Sequence, residues 1–229
     1  MKNIWIIANW KSNKNISEAL EWISIVGPKI PREDNSPAGR GGLKIVVCPT
    51  FSCLSEVKKA IQVGNFPIIL GAQDLSPFGI GSYTGEEPAV NLKQLVSLSI
   101  LGHSERRQNF SETDEMVAKK VMESKQNEII PLVCVQSADT KVSADCQLIA
   151  YEPVFAIGTG NPDTPENANS VAGELKQKLA ESVEVLYGGS VNSGNVASFT
   201  NQTNISGVLI GKASLDAEEF VKIVEACKD

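Results

Sequence analysis

The chain of 229 residues has 21 lysine and arginine side chains and 27 aspartate and glutamate side chains, a formal net charge of −6. This mildly acidic balance, without a basic block, disfavours nucleic acid as a partner, because nucleic-acid binding depends on the neutralisation of phosphates. His103 is the one histidine and the five cysteines include no Cys-x-x-Cys pair, which excludes multi-histidine metal sites and disfavours zinc ribbons and disulfide frameworks.

The apolar runs of the sequence are short. None approaches the ~20 residues that a membrane-spanning helix needs, and the first run, residues 4–8, is too short for a secretory signal. We therefore expect a cytoplasmic protein with reduced cysteines and no contact with a membrane. Because no linker or low-complexity block divides the chain, we expect one domain over residues 1–229.

Short apolar runs alternate with longer helical patterns along the whole chain. The predicted strands are 4–10, 43–49, 68–74, 98–103, 129–135, 148–154, 183–188 and 206–211. The predicted helices are 16–26, 52–63, 88–97, 111–126, 165–181, a shorter one near 193–200, and 214–228. Near-continuous apolar strands are typical of a parallel sheet covered on both faces. Eight such repeats predict an α/β fold, a single (β/α)8 barrel.

Two connections depart from this regular pattern. Residues 28–42 are polar and rich in Pro and Gly, which predicts a surface loop. Residues 136–146 alone separate the fifth and sixth strands, near the minimum of ~10–12 residues for a parallel crossover. We expect the helix there to be missing or a single turn, and the outer face of these strands to be thinly covered, with either an exposed apolar patch or an extra contact. Helix caps are predicted at Ser111 and at Thr164, where Pro165 follows.

Polar side chains stand where the predicted strands end, at the rim where barrel enzymes carry their chemistry. Lys11 follows the first strand, His103 ends the fourth and Glu152 lies near the end of the sixth. A carboxylate can act as a base toward a carbon acid, and an imidazole at a helix start stays neutral and can donate to a developing oxyanion. The lysine adds a fixed positive charge.

Glycine-rich turns follow the sixth, seventh and eighth strands, at 158–160, 188–190 and 211–214. Their exposed backbone N–H groups suit a phosphate dianion. With the lysine, histidine and glutamate, they predict proton abstraction next to the carbonyl of a small phosphorylated substrate. We expect neither a metal nor a cofactor.

Six motifs occur in one order along nearly the whole chain. They are ANWK (8–11), SYTGE (82–86), GHSERR (102–107), YEPVFAIGTG (151–160), YGGSV (187–191) and GVLIGKASL (207–215). In these motifs and their order the sequence resembles the triosephosphate isomerase family. The resemblance implies a glycolytic and gluconeogenic enzyme that interconverts dihydroxyacetone phosphate and D-glyceraldehyde 3-phosphate through an enediol.

The resemblance also implies residue roles. Glu152 matches the base that moves the proton between two substrate carbons, and His103 matches the electrophile that polarises the carbonyl. Lys11 matches the lysine that faces the substrate's charge, with Asn9 as its polar neighbour. Glu105 matches the carboxylate that supports this lysine.

Further roles concern the phosphate and the partner subunit. Residues 153–163 match a lid that closes over the phosphate, and residues 75–86 match a loop that docks into a second subunit, where Thr84 braces the neighbouring site. A homodimer follows from the resemblance. The backbone N–H groups in phosphate-binding positions belong to Gly158, Ser190, Gly211 and Lys212. Arg106 and Arg107 are expected to form structural salt bridges.

Several positions depart from the family pattern. Phe155 stands where the lid usually has Trp, and residues 134–137 replace the family's Cys-Ile-Gly-Glu, whose glutamate meets that indole. The hinge 161–163 contains a proline, which restricts φ and should affect the lid's motion rather than the chemistry. Lys212 replaces a glycine, so we expect an ordinary φ there, with the ammonium near the phosphate or in solvent.

Two other functions remain open. A different phosphate-binding barrel, such as a sugar-phosphate epimerase, would leave the set of Lys11, His103 and Glu152 unexplained. A barrel without activity, kept as a binding or scaffold protein, is disfavoured by the same set, although the short connection and the altered hinge weakly favour it.

Overall fold

The computed structural model describes residues 3–31, 42–143, 146–156 and 161–227. Eight parallel strands close into a barrel in chain order, which confirms the predicted (β/α)8 fold. The strands are β1 (Ile4–Asn9), β2 (Leu43–Cys48), β3 (Ile69–Ala72), β4 (Leu98–Leu101), β5 (Ile130–Val135), β6 (Leu148–Tyr151), β7 (Glu184–Tyr187) and β8 (Ile205–Ile210). The α-helices of the described residues are α1 (Ile16–Val26), α2 (Leu54–Gly64), α3 (Ala89–Leu92), α4 (Ser104–Phe110), α5 (Asp114–Gln126), α6 (Pro165–Lys178), α7 (Val196–Thr200) and α8 (Ala217–Ala226). Within these ranges no helix is both long and apolar enough to cross a membrane.

Alternate residues of each strand pack into two separate cores. In β1, Ile7 belongs to the cluster inside the barrel, whereas Ile6 and Ala8 belong to the cluster between barrel and helices. This is the two-residue period of a strand covered on both faces. The same alternation holds at the strand ends, so Asn9, the last residue of β1, and Glu152, directly after β6, fall on the inner face at the rim. The sequence pattern thereby positions the site.

A glycine in β8 allows the barrel to close tightly. Gly207 has a φ of 148°, and a Cβ on it would lie 2.1 Å from the backbone oxygen of Trp5 on the neighbouring β1. The pairing of β7 with β8 shifts its register between Val185 and Leu186, opposite this position. Only glycine fits this close approach without moving β1.

Several helix ends differ from the predictions. The predicted helix 88–97 is only α3, one short turn, and α4 was not among the predicted helix ranges, although the imidazole of His103 was expected at a helix start. Ser111 does not cap α5; its φ of 54° ends α4 in the left-handed conformation, and the side chain of Thr113 caps α5 instead. The predicted cap at Thr164 is confirmed, since its side chain accepts the N–H of Asn167.

The connection between β5 and β6 is compact. Its described residues, 136–143 and 146–147, form turns and no helix, while residues 144–145 lie outside the description. Side chains of this segment pack against the outer core, and outward-facing side chains of the two strands, Val133, Val135, Ile149 and Tyr151, are buried. The alternative of an exposed apolar patch is therefore wrong for these side chains. An extra contact is present, because Lys178 of α6 donates to the Ala138 carbonyl at 3.0 Å. Of the expected loop 28–42, residues 32–41 lie outside the description.

Candidate active site

The carboxyl ends of the strands open into a cavity of about 790 Å³. The structure brings together at its wall most of the predicted site residues, namely Asn9, Lys11, His103, Glu152, Ser190, Gly211 and Lys212. Gly158 lies outside the described residues, and so does part of the predicted lid, residues 157–160. The cavity is therefore formed where the predicted chemistry should be, at the rim of the barrel.

Glu152 is almost fully buried, with 1% of its surface exposed. Its Oε1 lies 3.0 Å from Nε2 of His103, and its Oε2 accepts the backbone N–H of Ser104 at 2.9 Å. Beneath it, burial and the charge of Glu152 raise the pKa of the Cys134 thiol. That thiol therefore stays neutral and adds no second negative charge beside the carboxylate.

His103 stands at the first turn of α4. Its Nδ1 accepts the backbone N–H of Glu105 at 3.2 Å, so the ring caps the helix. An accepting Nδ1 carries no proton, and the proton of the neutral imidazole is then on Nε2, facing Glu152. The sequence predicted His103 at a helix start, and the capping contact confirms this position.

Lys11 is held in an unusual backbone conformation with a φ of 53°. The Asn9 side chain accepts its N–H at 3.0 Å, and Gln73 donates to its carbonyl at 2.9 Å. Its ammonium lies 2.5 Å from a carboxylate oxygen of Glu105. Left-handed backbone is costly for a side chain other than glycine and persists where neighbours fix it. The contacts thus hold the Lys11 side chain at the wall of the cavity.

Ser190, Gly211 and Lys212 also line the cavity. The Ser190 hydroxyl donates to the carbonyl of Ala156 at 2.8 Å, at the amino-terminal end of the predicted lid. Lys212 begins a 3₁₀ turn, residues 212–215, and is not among the residues with positive φ, as predicted. The backbone of this turn faces the cavity beside Lys11, because a Cβ on Gly211 would lie 3.3 Å from Cε of Lys11.

The hinge that follows the predicted lid is fixed to two tyrosines. Asp163 donates its N–H to the Tyr187 hydroxyl at 2.7 Å, and its carboxylate accepts from the Tyr151 hydroxyl at 3.4 Å and from Asn167 at 2.7 Å. Burial and the nearby Asp163 carboxylate raise the pKa of Tyr151 to about 12, and burial raises the pKa of Tyr187 to about 12. Both phenols therefore stay protonated and keep these contacts.

Thr84 does not line the cavity. It lies in the loop 75–86, in which residues 79–86 are exposed. Phe78 and Tyr83 stack with ring centroids 4.2 Å apart, and Ile80 is 78% exposed. The loop thus exposes apolar side chains to solvent.

Two contributors to the site were missed by the sequence reasoning. Gln73, directly after β3, donates to the carbonyls of both Lys11 and Cys48 at 2.9 Å. Its position after a strand end was the available signal. Asp163 was noted only as a departure in the hinge, and nothing in the sequence linked its carboxylate to the Tyr151 hydroxyl.

Known proteins are similar to this sequence over nearly its whole length. The family model described as Triosephosphate isomerase matches residues 4–227. A protein named Triosephosphate isomerase from Endomicrobium trichonymphae is 38% identical, with all of both chains covered. Proteins of the same name from Caldanaerobacter subterraneus and Dehalococcoides mccartyi are 38% and 37% identical, covering 98% and 97% of this chain and 99% and 96% of their own. The chain belongs to the triosephosphate isomerase family.

Proposed function

We propose that this isomerase interconverts dihydroxyacetone phosphate and D-glyceraldehyde 3-phosphate. The observation that carries the proposal is the contact between the buried Glu152 carboxylate and Nε2 of His103 at 3.0 Å, at the floor of a cavity with Lys11 on its wall. A base, a neutral donor and a cation in one cavity suit proton transfer next to a carbonyl.

In the proposed reaction Glu152 takes a proton from the carbon next to the carbonyl of the substrate. The electron pair of that C–H bond forms the double bond of the enediolate, and negative charge develops on the former carbonyl oxygen. The Nε2–H of His103 donates to this oxygen, and the charge of Lys11 stabilises it. His103 passes its Nε2 proton to this oxygen and takes up the proton of the adjacent hydroxyl, so the negative charge moves to the other oxygen of the enediol. Glu152 then returns its proton to the former carbonyl carbon, and the second oxygen becomes the new carbonyl oxygen, which completes the isomerisation.

The contacts of Glu152 hold its carboxylate against His103 and Ser104. Both carboxylate oxygens have a donor, the backbone N–H of Ser104 for Oε2 and Nε2 of His103 for Oε1. A substrate carbonyl that takes the Nε2–H of His103 removes one of these hydrogen bonds. The carboxylate is then freed to turn toward the substrate carbon.

The phosphate is proposed to lie at the glycine-rich side of the cavity. The backbone N–H groups of Ser190, Gly211 and Lys212 supply the donors there, and the family resemblance adds that of Gly158. Residues 153–163 are proposed to close over the phosphate and exclude water, which protects the reactive enediol phosphate.

The experiment that tests this function is a coupled assay of the purified chain with each of the two triose phosphates. We expect turnover in both directions without added metal or cofactor. Epimerisation of a pentulose phosphate, with no triose phosphate turnover, would indicate a different phosphate-binding barrel. A chain that turns over neither compound would support the scaffold alternative.

We also propose that residues 1–229 form one domain and that the chain is a homodimer joined through the loop 75–86. The exposed Ile80 and the stacked pair of Phe78 and Tyr83 support a partner at this loop, because projecting apolar side chains mark interaction sites. Thr84 of this loop is then placed to brace the active site of the second subunit.

Ile80→Asp is expected to convert the dimer to a monomer and to lower kcat/KM roughly 10- to 100-fold, because small misplacements in a catalytic site cost about that much. Sedimentation velocity and the coupled assay measure both effects. Val63→Asp is the matched control, since Val63 is 89% exposed at the end of α2, outside the loop 75–86. A wild-type monomer with full activity would contradict the proposed dimer.

A further inference from the structure

The ionisable side chains of the cavity leave one cation without a counter-ion. Besides Lys212, those on its wall are Lys11, His103 and Glu152. Glu152 contacts His103, and the ammonium of Lys11 is paired with Glu105 at 2.5 Å. Lys212 is exposed, and none of the ion pairs found among the described residues includes it. Its charge is therefore available to a ligand.

The position of Lys212 is fixed by its backbone. The Ser214 hydroxyl donates to the carbonyl of Gly211 at 2.7 Å, and Trp22 donates to the carbonyl of Ser214 at 3.0 Å. These bonds tie the 3₁₀ turn 212–215 to the end of β8 and to α1. Because the turn is held on both sides, the backbone of Lys212 has a fixed position at the rim of the cavity, beside Lys11.

Because the whole chain is negatively charged, a local cation at the rim matters for the binding of an anion. The chain carries a formal net charge of −6, which repels an anionic ligand at long range. A phosphate dianion within 4–8 Å of one ammonium gains roughly 1–2 kcal/mol in water, or about five- to thirtyfold in affinity before screening by salt. Physiological salt, with a Debye length of about 8 Å, reduces this to roughly two- to tenfold.

We propose that the Lys212 ammonium, as distinct from its backbone N–H, selects ligands with a doubly charged phosphate by adding a cation to the phosphate end of the cavity. The inference deepens the proposed function and rests on it for the identity of the substrate. Lys212 acts in binding, so its removal lowers affinity and leaves proton transfer by Glu152 intact.

The test compares Lys212→Gln with wild type, with Lys212→Arg to restore the charge and Lys222→Gln as a matched control. Lys222 is an exposed lysine of α8 outside the cavity wall. Calorimetry with inorganic phosphate as the probe should give a Kd roughly two- to tenfold higher for Lys212→Gln at physiological salt, and a smaller difference at about 0.5 M salt. Wild-type affinity is expected for Lys222→Gln and near wild-type affinity for Lys212→Arg.

Kinetics give a second readout. Lys212→Gln should raise KM for D-glyceraldehyde 3-phosphate with kcat within about twofold, and should leave turnover of unphosphorylated D-glyceraldehyde unchanged. An equal loss for both compounds, or a loss of more than about 100-fold in kcat, would indicate a structural or chemical role and overturn the inference.

The two proposals fail in different ways. An unchanged phosphate Kd in Lys212→Gln, in a chain that isomerises triose phosphates, overturns the role of Lys212 and leaves the proposed function standing. A phosphate Kd that depends on Lys212, in a chain that does not isomerise them, overturns the proposed function and supports the anion-binding role.

Discussion

Glu152→Gln is expected to lower kcat for triose phosphate isomerisation roughly a thousandfold, within the 10²–10⁴ range of general acid–base catalysis. Glutamine has nearly the same shape, and its amide oxygen can still accept the N–H of Ser104. It cannot take up the substrate proton. KM should change by less than about threefold, because the phosphate contacts are untouched.

Glu225→Gln, an exposed glutamate of α8, is the matched control and should retain wild-type kinetics. All variants should be produced in a host without its own triosephosphate isomerase, since trace contamination can mimic residual activity. A Glu152→Gln enzyme with wild-type kcat would remove Glu152 from the mechanism.

Lys120→Met is expected to lower the free energy of unfolding by about 3–5 kcal/mol, the cost of removing one partner from a buried ion pair. Lys120 is 2% exposed and reaches both oxygens of Asp74, at 2.7 and 2.6 Å, as well as Glu112. Arg106 lies 2.8 Å from Asp74 and 3.0 Å from Glu112. Without the lysine, two buried carboxylates share one arginine.

The loss should be larger at about pH 8 than at about pH 5. Burial, partly offset by the charge of Lys120, raises the pKa of Asp74 from 3.8 to about 6. Between these values the folded state holds a proton that the unfolded chain has released, so this group contributes less stability as pH rises. Lys120 lowers the pKa of Asp74, so its removal raises that pKa further. At pH 5 a proton on Asp74 then relieves the repulsion between the two carboxylates, and at pH 8 it does not.

Urea unfolding at both pH values measures the effect. Lys119→Met is the matched control, because Lys119 is the exposed neighbour in α5 and its replacement should cost less than about 0.5 kcal/mol. An equal loss of unfolding free energy at the two pH values would show that Lys120 does not influence the protonation of these carboxylates. A loss as small as that of the control would contradict the buried cluster.

The strands and the rim could be predicted from the sequence because both depend on local pattern. Continuous apolar runs indicated the strands of a sheet that is covered on both faces. Because the strands of such a sheet are parallel, Lys11, His103 and Glu152 lie at the same end of the barrel. The expected salt bridges of Arg106 and Arg107 are also confirmed, with Asp114 as the partner of Arg107 at 2.7 Å.

Features that depend on distant contacts could not be predicted in this way. The left-handed backbone of Lys11 is fixed by Gln73, 62 positions away. The hinge contact of Asp163 with Tyr187 spans 24 positions. In α4 the polar sequence resembles a loop, and the helix forms because His103 caps its first turn and the arginines that follow find carboxylate partners.

The central claim, that Glu152 transfers the proton, is tested most directly by isotope exchange. Dihydroxyacetone phosphate is incubated with the enzyme in D₂O, and deuterium at carbon is followed by NMR. The wild-type chain should introduce solvent deuterium at the carbon next to the carbonyl as it forms D-glyceraldehyde 3-phosphate, and Glu152→Gln should slow this exchange roughly a thousandfold. Exchange at the wild-type rate in Glu152→Gln would contradict the account.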